Sequence, residues 1–203
     1  MSIVPGFDVT GANLDKIPAG QHQLAGYDTE QHPGDGIAWT PAQYAAHPGA
    51  IHIDQDPAAT DRTADVLDIE RGAATIADAG PWYRAAVVNY RQGTRPGQRW
   101  PAIYVSKSQV TPLVNGLIAE GVTSGPRLII ADWNNMEEQD IALVNAASGP
   151  FPLAGYQWKS SQFYDWDVWS AEWLAVVSKA PPHLTGAELV TKWSDGTIRT
   201  YAA

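Results

Sequence analysis

Short apolar runs of β-like character alternate with segments whose apolar residues recur at helical spacing, and this alternation persists through most of the chain. Such a pattern predicts parallel α/β architecture. The β-like runs fall at 3–8, 23–27, 50–54, 65–70, 101–105, 127–131 and 153–158. Thr40-Pro41 reads as an N-cap with proline at the first helical position, opening a short helix that stops near His47-Pro48-Gly49. Thr75 with Asp78 three residues on resembles a capping box. It opens a helix carrying Trp82, Tyr83, Ala86, Val87 and Tyr90 and ending near Gly93. Further helices are expected at 114–120, 137–147 and, from its continuous apolar character, 168–177.

These seven strands are one short of a closed barrel, and a strand at 29–38 would complete it. After Pro181-Pro182 the pattern changes. Residues 188–193 and 197–201 alternate around Ser194-Asp195-Gly196, a hairpin signature. The expectation is a compact, irregular TIM-like (β/α) barrel over residues 1–180, with residues 181–203 forming a small C-terminal β-hairpin appendage. At 203 residues the chain is short for this fold, which typically needs about 250, so helices must be short or missing.

Charge narrows the partners. The formal net charge is -9 with no basic stripe to offset it, which disfavours nucleic acid and anionic membranes. The absence of cysteine removes disulfides, thiol catalysis and thiolate metal sites. The N-terminus lacks the basic and apolar regions of a signal peptide, and no run approaches the roughly 18 apolar residues of a membrane span. The chain is therefore expected to act in the cytosol or to leave the cell by another route.

In a parallel barrel the C-terminal ends of the strands carry the active site. Here they end in acids: Asp8, Asp28, Asp54 with Asp56, Asp68 with Glu70, and Asp132, with Asp165 and Asp167 just beyond the last strand. Residues two apart on a strand share a face, roughly 6.5–7 Å apart. Asp68 and Glu70 can thus face one pocket. Close like charges and apolar flanks raise the pKa of one carboxyl, which then serves as general acid at a glycosidic oxygen while an ionised neighbour stabilises positive charge on the sugar. The blander reading is that acids at strand ends start turns and cap helices, and Asp28, Asp56 and Asp167 suit it best.

Aromatic residues add to the picture. There are nine tryptophans; Trp133, Trp158 and Trp166 fall in rim-facing segments, where an indole face suits a sugar. Trp82, Trp169 and Trp173 sit on apolar helical faces and read as core. Tyr104 either bonds a sugar hydroxyl or the acid, or is a half-buried strand tyrosine. The five histidines show no metal spacing, His52 reads as a satisfied core residue, and no dinucleotide or phosphate loop is present. No cofactor or metal is expected, although Asp54, Asp56 and Asp132 could together hold Mg²⁺ or Ca²⁺. Arg71, next to Glu70, is expected to point away from it by strand alternation.

Several of these segments resemble glycoside hydrolase family 25, the lysozyme-like muramidases of bacteria and their phages. Val4-Pro5-Gly6-Phe7-Asp8-Val9-Thr10 resembles the family's opening strand, and Leu67-Asp68-Ile69-Glu70 its Asp-x-Glu motif. Ala102-Ile103-Tyr104-Val105-Ser106, Tyr156-Gln157-Trp158 and Tyr164-Asp165-Trp166-Asp167 are similar to later elements, in order. Asp28, Asp54 and Asp56 depart from the pattern.

The resemblance implies a flattened barrel that cleaves the bond between N-acetylmuramic acid and N-acetylglucosamine in peptidoglycan. It implies Glu70 as general acid, Asp68 orienting substrate or stabilising the transition state, and Asp8 and Asp165 completing an acidic floor. Tyr27, Asp54, Tyr104, Asp132, Trp133 and Trp158 are the candidate substrate-binding residues. A phage endolysin or virion-associated lysin acting at the bacterial cell wall fits. The rival is a non-catalytic carbohydrate-binding or virion structural module that docks a protein partner through the terminal hairpin. The environment of Glu70 separates the two: an enzyme needs it at an open cleft floor with Asp8 and Asp165 in reach.

Overall fold

The structure is a computed structural model that describes residues 3–20, 22–29, 36–133, 149–177, 189–192 and 198–201. The helix expected at 137–147 and the Ser194-Asp195-Gly196 turn lie outside the described residues.

Eight strands close a barrel in sequence order: β1 (Ile3–Val9), β2 (Gln23–Tyr27), β3 (Ile51–Asp54), β4 (Val66–Ile69), β5 (Ala102–Ser106), β6 (Arg127–Ala131), β7 (Leu153–Ser160) and β8 (Tyr164–Ser170). The first seven run parallel to their neighbours in that series. β8 runs antiparallel to both β7 and β1.

The eighth strand is therefore not in 29–38, where the described part contributes a lone bridge between Tyr27 and Ala38. It occupies a segment expected as loop and helix. The strand continues through Ser170, and the helix α4 covers only Ala171–Ala175. The physical reason is a period of two. Trp169 packs in the cluster inside the barrel, while Val168 packs in the cluster beneath the helices.

Side-chain alternation divides the molecule into two apolar layers. Ala25, Ile51, Ile53, Val66, Ala102, Ile129 and Ala131 fill the interior of the barrel. Leu67, Ile69, Ile103, Val105, Leu128 and Ile130 face outward, against α2 (Ile76–Gln92) and α3 (Val110–Ala119). The capping box expected at Thr75 and Asp78 opens α2, and Gly93 ends it at φ 64°, a conformation that favours glycine. Thr40 likewise caps α1 (Pro41–Ala46).

One large residue plugs the interior. Trp169 is fully buried between two glycines: a Cβ on Gly6 would lie 2.6 Å from its indole nitrogen, and one on Gly155 2.8 Å from its ring. Trp82 and Trp173 are core residues as expected.

Farther along, β9 (Leu189–Lys192) and β10 (Ile198–Tyr201) pair antiparallel as a separate two-stranded sheet, the expected hairpin. Among the described residues no helix is long and apolar enough to cross a membrane.

Candidate functional site

Six strands deliver polar side chains to the rim at the C-terminal ends of the parallel strands. β1 brings Asp8, β2 Tyr27, β4 Asp68, β5 Tyr104 and β7 Gln157. Because β8 runs the other way, its beginning lies at this rim, and Asp165 stands opposite Asp8 in the register. Glu70 follows the end of β4, and Trp133 follows β6. Together these groups line a narrow pit of about 40 Å³. At Glu70 and Trp133 the pit meets an open cleft of about 730 Å³, which runs past Arg71 toward the start of α2 and the end of β5.

Gln157 ties the pit together. Its amide nitrogen donates to Asp8 Oδ2 at 2.6 Å. Its amide oxygen accepts from Tyr104 Oη at 2.7 Å and from Trp133 Nε1 at 2.6 Å. Tyr27 donates to the other Asp8 oxygen at 3.3 Å, and Gln55 Nε2 donates to Asp68 at 2.9 Å. Gln157 and Gln55 are absent from the acid-based expectation. The signal for Gln157 was present in the sequence, as a polar residue between two aromatics at a strand end.

The cluster holds five carboxyls and no cation: none of the ion pairs among the described residues involves Asp8, Asp68, Glu70, Asp165 or Asp167. Burial is the largest influence on each and raises its pKa by disfavouring the charged form. Repulsion adds to this. Asp165, Glu70 and Asp68 push Asp8 up, Glu70 pushes Asp68 up, and Asp165 pushes Glu70 up. Hydrogen bonds oppose the shifts, from Tyr27 on Asp8, Gln55 on Asp68 and Ser160 on Asp165. The same acids push the Tyr27 and Tyr104 hydroxyls, already raised by burial, further up, so both stay neutral donors.

Asp167 corrects an expectation. It reads from sequence as a cap or turn residue, yet it lies in the middle of β8 at 2% exposure. Neither of its oxygens meets a well-formed hydrogen-bond partner, with only marginal contacts to the Asp8 amide and Gln157. After burial, the charges of Asp8 and Asp165 raise its pKa well above the carboxylate range.

Other candidates go elsewhere. Asp54 is fully buried and accepts from Thr29 and from the Asp56 and Asp61 amides, all at 3.0 Å, so it organises the loop after β3. Burial pushes its pKa up to about 6. Asp56 accepts from the Ala58 amide and the Thr60 hydroxyl as a turn residue. Asp132 pairs with Lys107. Trp158 packs against Trp166 with ring centroids 5.7 Å apart and is not among the residues lining the pit or the cleft. Asp28 holds His52 Nδ1 at 2.8 Å, and that ring stacks on Tyr44. Among the described residues no group of three His, Asp or Glu side chains is disposed to hold a metal ion.

Arg71 departs from the alternation argument because β4 ends at Ile69. Glu70 to Ala73 form a turn closed by the Ala73 amide on the Glu70 carbonyl at 3.1 Å, with Gly72 at φ 96°. Arg71 consequently lines the same cleft as Glu70 without pairing with it.

No protein-family model matches the sequence, and no curated protein matches it either. Among solved structures the chain is similar to an uncharacterized protein of B. stearothermophilus, at 11% identity over 84% of this chain and 98% of that one, with a TM-score of 0.43. It is also similar to the bacterial lysozyme from Streptomyces coelicolor, at 15% identity over 87% of this chain and 98% of that one, with a TM-score of 0.46. Neither likeness is strong enough to assign a family or an activity.

Proposed function

We propose that the protein is a lysozyme-type glycoside hydrolase that cleaves peptidoglycan glycan strands, with Glu70 as general acid. The observation that carries this reading is the position of Glu70. Its half-buried carboxyl stands where the narrow acidic pit opens into a cleft, so it reaches both the other carboxyls and a bound polymer. Burial and the Asp165 charge raise its pKa, which keeps the proton available at higher pH than an ordinary glutamate allows.

In this mechanism Glu70 protonates the glycosidic oxygen as the bond to the sugar carbon breaks. Positive charge then develops on the sugar ring, and an ionised carboxylate of the pit stabilises it. Water then adds to that sugar carbon and gives up a proton to the carboxylates, which restores the protonated Glu70. Asp165, at the rim, and Asp68, beneath Glu70, are the groups for that role. Tyr27 and Gln157 fix Asp8 from two sides. Trp133, held by its bond to Gln157 yet 56% exposed, offers its indole face to the sugar. The choice of peptidoglycan rests on the ordered resemblance of the strand-end motifs.

The test is release of reducing sugar ends from purified peptidoglycan between about pH 4 and pH 8. Wild type should release them, and Glu70→Gln should lose roughly 10²- to 10⁴-fold of the rate, the usual contribution of a general acid. Binding without hydrolysis by folded wild type would instead make the barrel a carbohydrate-binding module.

A further inference from the structure

The cleft beside Glu70 is far larger than the pit, and its 730 Å³ falls within the roughly 300–1,000 Å³ of small-molecule sites. Its wall is mixed. Trp133, Ile76 and Ala74 offer apolar surface, while Ser106 and Gln109 offer neutral polar groups. Among the described residues its charged groups are Glu70 and Arg71. Arg71 is exposed, and no carboxylate among the described residues pairs with it.

That freedom stands out next to the pit. Glu70 is its neighbour in the chain and in the cleft, yet the turn through Gly72 swings Arg71 out over the cleft instead of folding it onto Glu70. An anionic ligand approaching a chain of net charge -9 is repelled. A cation at the cleft wall offsets this locally, and a guanidinium matches a carboxylate with two parallel hydrogen bonds.

The geometry points to the cleft as the subsite for a carboxylate-bearing sugar unit of the glycan, with Arg71 as the residue that recognises the carboxylate. The inference rests on the glycosidase reading above and extends it to specificity. Trp133 and the apolar wall take the ring and its acetamido methyl, and Arg71 holds the acid group away from the pit. A neutral polymer of N-acetylglucosamine fills the same wall but leaves Arg71 unused. Specificity is this difference in affinity.

Binding is measured in the Glu70→Gln background, so the ligand is not consumed, with and without Arg71→Gln. Three probes are used: an N-acetylglucosamine oligomer, solubilised peptidoglycan strands stripped of peptides, and solubilised strands that keep them. Arg71→Gln should weaken the stripped strands about fivefold at low salt and leave the neutral oligomer unchanged. The loss should fade toward about 1 M salt. A loss on stripped strands assigns the lactyl carboxylate of the sugar; a loss confined to peptide-bearing strands overturns the sugar subsite, because the group held is then a peptide carboxylate. Unchanged binding of both acidic probes, equal losses on all three, or no binding of any probe overturns the inference. Hydrolysis by wild type is followed in parallel. Turnover with an indifferent Arg71 sinks the subsite alone, whereas Arg71-dependent binding without turnover sinks the enzyme alone.

Discussion

Asp65 and Asp167 are both buried aspartates of the barrel, one at its N-terminal mouth and one inside it beneath the acidic rim, and they are treated in opposite ways. Asp65 precedes β4 at the N-terminal mouth and is fully buried. Arg95 and Arg99 both pair with it, and the His52 and Arg99 amides donate to its two oxygens. Asp167, almost as deeply buried, has no cation and no well-formed hydrogen bond. At one mouth the charge is compensated and joins loops together; beneath the other, carboxyls face carboxyls. An uncompensated buried acid stays because it is protonated or because the site needs it, at a cost in stability.

Substitution breaks the comparison most sharply at Asp65. Asp65→Asn leaves the buried Arg99 guanidinium without its counter-charge and should destabilise the protein by about 3–5 kcal/mol in denaturant unfolding. Asp167→Asn, the same chemical change beneath the acidic rim, should be neutral or stabilising at neutral pH. Equal losses at the two positions would mean that Asp167 has a partner after all.

Gln157→Leu comes next. It strips Asp8, Tyr104 and Trp133 of one shared partner and should cost about 1–3 kcal/mol of stability. Sugar release should fall with it, since Asp8 and Trp133 both lose their orientation.

The smallest effect sharpens the comparison through pH. The pKa of Asp167 is raised on folding, so its stability contribution is fully present below the unfolded value of about 3.9 and is lost as pH rises through the folded value. Asp167→Asn and wild type should therefore differ little in unfolding free energy below about pH 4, and the variant should pull ahead as pH rises from there. A gap that opens toward acid instead would mean a carboxylate stabilised in the fold.

What the sequence made legible follows from the physics of strand ends. Asp8, Asp68, Glu70 and Asp165 each stand beside an apolar run, and the barrel gathers such ends at one rim, so a local pattern sufficed. β8 was hidden because an apolar run after Trp166 reads equally as buried helix or buried strand, and because aspartate is a poor strand former. Gln157 shows in the sequence as a polar residue between two aromatics, but its role is not local, because its three partners come from three other segments. Arg71 was misread for want of one fact, that Gly72 turns the chain before strand alternation applies to it. The placement of Asp54 and Asp132 needed tertiary partners, the Asp56 and Asp61 amides for one and Lys107 for the other.

The acidic mouth is held to be a glycosidase site worked by Glu70, and product identity tests that most directly. Purified peptidoglycan is digested with wild type and with Glu70→Gln, the new reducing ends are reduced with borohydride, and the terminal sugar is identified by mass spectrometry. The account predicts reduced N-acetylmuramic acid at the new ends with wild type and almost none with the variant. New ends formed equally by Glu70→Gln, or none formed by folded wild type at any pH between about 4 and 8, would contradict it.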